Sequence, residues 1–181
     1  NAGETITFDY DRANRLTLAR DPLGHETRYR YDGAGNRVAA IDAAGVETRY
    51  SYDELGRLTG VMSNYGDGIY DPARTDEDVT TEYGYDRIGN RTVITDARGL
   101  ATTYLYNDLN QRTESRDPLG NTTRTDYDAL GRQAVITDAN GAVTHFDYNE
   151  VNQLTGINYP SGTPDVTFTY DNVGNRLAML D

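Results

Sequence analysis

The chain has 181 residues, carries a formal net charge of −12 at pH 7 and contains no cysteine. The acidic excess argues against nucleic acid or an anionic membrane as the main partner, because both attract basic surfaces. Without cysteine there are no disulfides or thiolate sites, and without a run of about 18 apolar residues no membrane-spanning helix is expected.

A short tyrosine motif recurs along the whole chain. It consists of two aromatic residues separated by one residue, with Thr125 replacing the first aromatic in one copy, and the second tyrosine is called the anchor here. The spacings between consecutive anchors are 21, 21, 33, 21, 21, 21 and 22 residues, so the 33 contains one period plus 12 inserted residues. A fixed period predicts a repeat architecture, here a single array of about eight units over residues 1–181. The anchors are Tyr10, Tyr31, Tyr52, Tyr85, Tyr106, Tyr127, Tyr148 and Tyr170.

A turn is predicted directly after each anchor. The next residue is Asp or Asn, and the residue four positions after the anchor is always Gly or Asn, the residues that best tolerate positive φ. This pattern is typical of a type I turn followed by a left-handed residue, a common hairpin connection. The predicted positive-φ residues are Asn14, Gly35, Gly56, Gly89, Asn110, Gly131, Asn152 and Gly174.

A second turn of the same kind is predicted in each unit. Glycine stands fourteen residues after most anchors, and in five units an aspartate precedes it by three residues. Each unit is therefore predicted to run strand, turn, strand, turn. The glycines are Gly24, Gly45, Gly66, Gly99, Gly120, Gly141 and Gly162, and the aspartates are Asp21, Asp42, Asp96, Asp117 and Asp138.

The segments between the turns alternate with a period of two, which predicts β-strands. In the segment ending at Tyr52, the residues Thr48, Tyr50 and Tyr52 share one face, while Arg49 and Ser51 share the other. Fifteen of the eighteen aromatic residues fall on equivalent positions and form a predicted aromatic ladder. The fold class predicted is all-β, a strip of consecutive antiparallel hairpins that stack to become stable.

Two places depart from the repeat. An acidic insertion near residues 67–78 is predicted to be a solvent-exposed contact loop; a cation site is the alternative, although the spacing matches no standard calcium loop. Near Tyr159 and Pro160 the usual acidic turn residue is missing, which local turn variation explains. The acidic residues of the insertion are Asp67, Asp71, Asp76, Glu77 and Asp78.

No catalytic, cofactor-binding or metal-binding residue is predicted. His25 and His145 are expected to face solvent on strands, and the regularly spaced aspartates are expected to form turns and not catalytic pairs. Arginines recur near the start of the second strand of the units and are predicted to form surface ion pairs, each of small energetic value. They are Arg15, Arg37, Arg57, Arg91, Arg112, Arg132 and Arg176.

The repeated Tyr-Asp-x-x-Gly motif, clearest at Tyr31, Tyr52, Tyr85 and Tyr170, resembles the YD repeat of the Rhs family. The resemblance implies a β-strip that spirals into a hollow shell. Bacterial members of the family enclose a C-terminal toxin domain, as in Rhs effectors and the cocoon components of insecticidal toxin complexes, and teneurins use a similar barrel in adhesion. The family's self-cleaving aspartate site has no counterpart before Asp181. The chain is expected to be a fragment of a larger shell, secreted or on the cell surface.

Three functions compete at this stage. The first is a non-catalytic structural segment of a shell that encapsulates or presents a C-terminal toxin domain, with the rest of the shell and the toxin as partners. The second is a carbohydrate-binding or cell-surface adhesion module, in which repeats add weak contacts by avidity. The third is an enzyme, for which no residues stand out. Because a strip has two open edges, edge-to-edge self-association is also expected to be possible.

Overall fold

The computed structural model describes residues 5–66, 68, 76–160 and 162–180, and over these residues every regular element is a β-strand. Strand order in the sheet follows chain order, and the registered pairs are antiparallel. The predicted all-β hairpin strip is therefore confirmed. The strands are β1 (Thr7–Tyr10), β2 (Leu16–Arg20), β3 (Glu26–Tyr31), β4 (Arg37–Ile41), β5 (Glu47–Tyr52), β6 (Leu58–Ser63), β7 (Val79–Tyr85), β8 (Arg91–Thr95), β9 (Ala101–Tyr106), β10 (Arg112–Arg116), β11 (Thr122–Tyr127), β12 (Gln133–Thr137), β13 (Val143–Tyr148), β14 (Leu154–Asn158), β15 (Val166–Tyr170) and β16 (Arg176–Leu180).

The chain forms two compact units. Unit 1 consists of Asn1–Asp86 and Val93–Ala101, and unit 2 consists of Arg87–Thr92 and Thr102–Asp181. In unit 1 each strand from β1 to β7 pairs with the next. In unit 2 the same succession runs from β9 to β16. A single array over residues 1–181 stays a prediction.

The aromatic ladder lies along one face of the sheet. In unit 1, Tyr29 is opposite Ala40, and Ala40 is in turn opposite Thr48. A small or aliphatic residue likewise lies between an aromatic residue and a threonine or valine in β2, β6, β10 and β14. In this arrangement cross-strand pairs stabilise the sheet. The ladder residues of β3 are half-buried, whereas Arg28 and Arg30 on the other face are exposed.

Very little of the sheet is fully buried. Among the described residues, Ala39 is the one hydrophobic residue in this class, at 3% exposure, and Asp78 is the one polar or charged residue, at 1%. A conventional domain buries an apolar face against a second layer of structure. Here the apolar area is covered within one sheet by neighbouring strands, so each hairpin depends on the hairpins beside it.

A β-bulge follows the first turn. In the hairpin of β3 and β4, Tyr31 pairs with Arg37, but its neighbour Arg30 pairs with Ala39, so β4 contains one extra residue. The same shift occurs next to six other anchors. These are Tyr10, Tyr52, Tyr106, Tyr127, Tyr148 and Tyr170. A bulge leaves the extra residue out of the ladder and increases the local twist.

One predicted turn is wrong. Gly66 occupies a second-turn position, but it is not among the residues with positive φ, which in this segment are Asn64 at 52°, Gly68 at 88° and Asp78 at 49°. The reason is that β6 ends at Ser63 and the next strand begins only at Val79. The chain has left the sheet before Gly66, so no short turn closes there.

Candidate functional site: the repeated turns and tyrosine anchors

The eight predicted first-turn residues all have positive φ. The values run from 60° at Asn14 to 98° at Gly89. In each of the seven turns with described bonds, the amide of this residue donates to the carbonyl of the Asp or Asn three residues earlier, as at Gly56 and Asp53, 3.0 Å apart. This geometry closes a tight turn, and a residue other than Gly or Asn is strained at its positive-φ position.

The side chain of the first turn residue fixes the turn from inside. Oδ1 of Asp53 accepts the backbone N–H of Leu55 at 3.0 Å and that of Arg57 at 2.9 Å. The same two acceptor bonds occur in the turn of Asn149. These bonds account for Asp and Asn at this position, because a short side chain with an acceptor oxygen can reach both amides.

Hydrogen bonds to the carboxylate hold the pKa of these turn aspartates below its usual value, since they favour the ionised form. In three of them the largest cause is the backbone N–H of the arginine four residues on. In two others it is the side-chain amide of the asparagine at that position. The three are Asp11, Asp53 and Asp128, and the two are Asp32 and Asp171.

The residue five positions after the anchor matches the chemistry of the turn residue. Where the turn opens with Asp, a side-chain donor follows, as in Arg132 Nε donating to Asp128 Oδ2 at 2.7 Å. Where it opens with Asn, a glutamine follows, and Asn149 Nδ2 donates to Gln153 Oε1 at 2.7 Å. The turn of Asn107 and Gln111 repeats the second arrangement. Each turn is thus closed by a complementary donor and acceptor.

Six of the seven recurring arginines belong to two classes, which corrects their common assignment to surface ion pairs. Arg15, Arg57 and Arg132 pair with their turn aspartates at 2.6–2.7 Å, as predicted. Each guanidinium also lies over the anchor ring of the next repeat, at 4.4–4.8 Å from its centroid. These arginines therefore join one repeat to the next.

The second class stands one residue later and has a different role. The guanidinium of Arg37 lies 4.9 Å from the centroid of Tyr50, and those of Arg112 and Arg176 lie 5.4 and 5.6 Å from Tyr104 and Phe168. None of these three arginines takes part in an ion pair with a described residue. They cover aromatic faces by cation–π contact, so the ion-pair prediction is wrong for them.

The anchor hydroxyls bind the preceding repeat, a feature that sequence reasoning missed. Tyr127 Oη donates to the carbonyl of Arg112 at 2.9 Å, fifteen residues earlier. Arg112 pairs with Tyr106 just before the bulge of β10, in which Thr113 is the extra residue, and the register between β10 and β11 begins only at Glu114. The bulge therefore places a carbonyl beyond the ladder, and the tyrosine hydroxyl supplies its hydrogen bond.

This bond is made by every anchor except the first. Six more anchors donate to the corresponding carbonyl at 2.7–3.0 Å. The spacing is lengthened to 27 residues at Tyr85 by the insertion and to 16 at Tyr170. The sequence contained a signal for this bond. In most repeats the separation between an anchor and the sixth residue after the preceding anchor is the same. The six are Tyr31, Tyr52, Tyr85, Tyr106, Tyr148 and Tyr170.

The two histidines match the predicted solvent-facing positions on strands only in part. His145 is exposed on β13, as expected. His25 is exposed but precedes β3, and its Nδ1 lies 2.7 Å from Asp21 Oδ2. It closes a second turn in the way that Asn121 does with Asp117. That pairing, more than the desolvation opposing it, lowers the pKa of Asp21.

The base of the insertion is held by a buried carboxylate. Asp78 Oδ1 accepts the backbone N–H of Gly66 at 2.8 Å and of Gly68 at 3.1 Å, while its own N–H donates to Asn64. The prediction of a solvent-exposed acidic loop is therefore wrong for Asp78, because its carboxylate satisfies backbone amides. Asp76 is exposed. Asp67 and Asp71, also assigned to this loop, lie outside the described residues.

A row of exposed aliphatic side chains marks the first turns of unit 2. The third residue after each anchor is Ile, Leu or Val, with exposed fractions of 70–83%. Consecutive first turns are separated by two strand spacings, so neighbouring side chains of this row lie about 10 Å apart. This row, called the aliphatic ridge here, was visible in the sequence as a constant position but was not recognised. Its members are Ile88, Leu109, Leu130, Val151 and Val173.

The chemistry available in the described residues is that of a scaffold. Among them no group of three or more His, Asp or Glu residues is placed to hold a metal ion. Nor does this part of the chain contain a helix long and apolar enough to cross a membrane. The turn carboxylates and amides are engaged by their own turns, which makes them structural groups.

Comparison with known proteins is consistent with this description. A family model described as RHS Repeat matches residues 10–47, 37–67, 85–123, 106–143 and 127–164. The crystal structure of TcdB2-TccC3 without its hypervariable C-terminal region is similar over 96% of this chain, with 19% identity and a TM-score of 0.62. The structure of TcdB2-TccC3-TEV matches over 96% of this chain at 19% identity, with a TM-score of 0.61. At this identity the likeness shows the fold alone. This chain covers 11% of each of those chains, and no curated protein sequence matches it.

Proposed function

The chain belongs to the RHS-repeat family, and from that premise we propose that it is a non-catalytic wall segment of a larger β-shell. The shell encapsulates or presents a C-terminal toxin domain, and the rest of the shell and that toxin domain are the partners of this segment. In this proposal the assembled protein is secreted or lies on the cell surface.

The observation that carries the proposal is the repeated bond from seven of the eight anchor hydroxyls to the carbonyl just before the bulge of the preceding repeat. Seven such bonds, at 2.7–3.0 Å, tie successive hairpins together by the same geometry. The polar groups that recur are used within this lattice and leave no distinct catalytic set among the described residues. A wall needs this uniformity, whereas an enzyme needs one place that differs from the rest.

Burial supports the same role. Thirteen of the fifteen ladder aromatics are half-buried within the sheet, so each repeat covers the apolar face of its neighbour. Stability then grows with the number of repeats, as in other repeat proteins. A sheet of this kind can extend without a separate core, which suits a thin wall around a second domain.

The test is limited proteolysis of the full-length protein in which this segment occurs, followed by intact mass measurement. We expect a protease-resistant body that retains a separate C-terminal fragment. As control, the same fragment is released with denaturant, returned to buffer and digested alone. Resistance only in the presence of the repeats supports encapsulation. Equal digestion in both samples, or a full-length protein without a distinct C-terminal fragment, contradicts it.

The second candidate function is contact with a cell surface, and the aliphatic ridge of unit 2 favours it. Exposed apolar side chains in a continuous row commonly mark an interaction surface. A glycan partner has weaker support, because the ladder rings that would stack on sugars are half-buried and partly covered by arginines.

Titration of the chain with a glycan panel, followed by tyrosine fluorescence, tests the glycan version. Cell binding of a variant with Leu109→Ser and Leu130→Ser tests the ridge version, with Leu119→Ser, at an exposed second turn, as matched control. Loss of cell binding in the ridge variant alone supports adhesion. Unchanged binding in both variants, together with no fluorescence response, removes this candidate.

A further inference from the structure

Neighbouring first turns lie side by side, and the place where one meets the next is called a junction here. In three junctions an arginine of the earlier turn fills this place. The guanidinium of Arg57 pairs with Asp53 at 2.7 Å. It also lies 4.8 Å from the centroid of the Tyr85 ring and donates to the Asp86 carbonyl at 3.0 Å. A junction thus offers a guanidinium the turn aspartate, the next anchor ring and the carbonyl after that anchor. The other two arginines with equivalent contacts are Arg15 and Arg132.

The junction that follows the turn of Asp32 and Asn36 has the same three groups but no arginine. They are the Asp32 carboxylate, the Tyr52 ring and the Asp53 carbonyl. Asn36 is shorter than arginine, and its side-chain amide donates back to Asp32 Oδ2 at 3.0 Å. No described arginine lies over the Tyr52 ring. A cavity of about 660 Å³ is therefore open between the two turns.

Two other junctions without arginine are bridged by a side-chain amide of the chain itself. Asn90 Nδ2 donates to Asn110 Oδ1 at 3.2 Å. Gln111 Nε2 donates to the carbonyl of Gly131 at 2.9 Å. Each bond joins the residue five positions after one anchor to the positive-φ residue of the next turn, so these two junctions are already connected.

The junction at Gln153 is open but has different chemistry. Its cavity is about 710 Å³ in volume. The turn opens with Asn149, so an uncharged amide stands where the other open junction has the Asp32 carboxylate. Asp171 also lines this cavity, but it corresponds to Asp53 and not to Asp32. This junction therefore lacks the turn carboxylate that pairs with arginine in the three filled junctions.

The cavity at Asn36 has the charge and the apolar surface that suit an arginine side chain. Three carboxylates line it, and the residues described along it include no arginine or histidine. Asp53 pairs with Arg57, but no described cation pairs with Asp32 or Glu54. Apolar side chains lie in the same lining, and the aliphatic stem of an arginine can pack on them while its charged head binds polar groups. The carboxylates are those of Asp32, Asp53 and Glu54, and the apolar side chains are those of Ala34, Val38 and Leu55.

We propose that the junction at Asn36 binds the arginine side chain of a second polypeptide, in the place that Arg57 takes at its own junction. The guanidinium pairs with the Asp32 carboxylate, lies over the Tyr52 ring and donates to the Asp53 carbonyl. Its planar fork suits both the carboxylate and the ring, whereas the compact ammonium of lysine does not. The net charge of −12 favours encounter with a basic partner.

The test is titration of the isotope-labelled chain with N-acetyl-arginine methylamide, followed by the NMR signals of the Asn36 side-chain amide and the Tyr52 ring. We expect saturable shifts of both signals. The capped citrulline analogue, which has the shape of arginine without its charge, should bind roughly tenfold more weakly because it forms no charge-assisted bond. Equal affinity for the two probes, or no shift at Asn36 and Tyr52 at any probe concentration, overturns the proposal.

The guanidinium ion alone distinguishes a small cation from an arginine side chain. The capped arginine should bind several-fold more tightly than the ion, because its stem covers Val38 and Leu55. Equal affinity for the ion and the capped arginine would show a site for small cations, and would overturn the assignment to a polypeptide arginine.

Asn36→Arg supplies the missing arginine within the chain, as Arg57 does at its own junction. This variant should no longer bind the capped arginine at Tyr52. Gln153→Arg is the matched control, because it places an arginine at the other open cavity, and it should leave binding at Tyr52 unchanged. Binding at Tyr52 that survives Asn36→Arg, or that Gln153→Arg also abolishes, contradicts the proposal.

Asp32→Asn tests the carboxylate separately. The chain opens other first turns with Asn, as at Asn149, so the turn is retained. The variant should bind the capped arginine roughly tenfold more weakly than the wild type, since the charged acceptor is lost. Unchanged affinity would overturn the proposed ion pair. These outcomes are independent of encapsulation, which concerns the full-length protein.

Discussion

Two turns of unit 2 reach the same backbone geometry with opposite side-chain chemistry. The turn from Asp128 to Arg132 is closed by a charged donor that binds a carboxylate. In the next first turn, from Asn149 to Gln153, the direction is reversed, because the side-chain amide of Asn149 donates to the side-chain carbonyl of Gln153. The backbone bonds that frame the two turns are the same within 0.1 Å. The backbone path is therefore fixed by the turn, and the side chains need only be complementary.

Different side-chain pairs can close the turn, but none of them removes the need for a residue with positive φ. Substitution of this residue should therefore have the largest effect on stability. Gly89 has φ of 98° and no neighbour within 4 Å of an added Cβ, and Gly89→Val should destabilise the chain by about 2 kcal/mol because a β-branched residue is strained there. Thermal or urea unfolding measures the change. The control is Gly33→Val, at a turn glycine without positive φ and with no neighbour within 4 Å of its added Cβ; a loss of similar size there would contradict the strain argument.

The bond between repeats should have the next largest effect. Tyr127→Phe removes the donor to the Arg112 carbonyl and should lower the free energy of unfolding by about 1 kcal/mol. Urea unfolding of Tyr127→Phe and Tyr10→Phe gives the comparison, since no described residue accepts a hydrogen bond from the Tyr10 hydroxyl. Equal losses in the two variants would refute a role for the hydroxyl bond.

Replacing the Asp128 and Arg132 side chains by the Asn and Gln of the next first turn should have a smaller effect on stability. Asp128→Asn or Arg132→Gln alone leaves a mismatched pair and should lower the free energy of unfolding by less than Tyr127→Phe does. The double variant copies the turn of Asn149 and Gln153 and should recover part of the loss. Arg132 also lies over the Tyr148 ring at 4.4 Å, so recovery should be incomplete. Strictly additive losses in a double-mutant cycle would show that the two side chains are not coupled.

Lowering the pH is expected to have the smallest effect on the stability that each turn contributes. Hydrogen bonds lower the pKa of Asp128, chiefly from the backbone N–H of Arg132, below the ordinary value of 3.8. A lowered folded pKa contributes stability that is present above the ordinary pKa and is lost as pH falls through the folded value. Melting temperatures should therefore fall below about pH 4. The fall should be slightly smaller in the Asp128→Asn, Arg132→Gln double variant, and an identical pH profile in both proteins would argue against this contribution.

The two turns also show which features of the protein could be predicted from the sequence. The eight left-handed positions and the turns they close depend on residues within five positions of each other, and such short stretches determine local turn chemistry directly. The match of Asp with Arg or Asn, and of Asn with Gln, was equally local but was not recognised. The aliphatic ridge was likewise present as a fixed position after the last five anchors. A constant position predicts a role only when its surroundings are known.

The sequence by itself determined the repeat, the strand faces and the places where the chain must turn, because each follows from side-chain periodicity and from the φ that Gly and Asn allow. Only the tertiary structure decided which carbonyl each anchor hydroxyl binds, which arginines pair with aspartate and which cover rings, and that Asp78 is buried at 1% exposure. The hydroxyl bonds depend on strand register and on the bulge, which bring together residues at least fifteen positions apart, and Asp78 is buried where it accepts bonds from Gly66 and Gly68 across the base of the insertion. A shift of one residue reverses the face of every side chain on a strand, and the register is settled only when neighbouring strands pair.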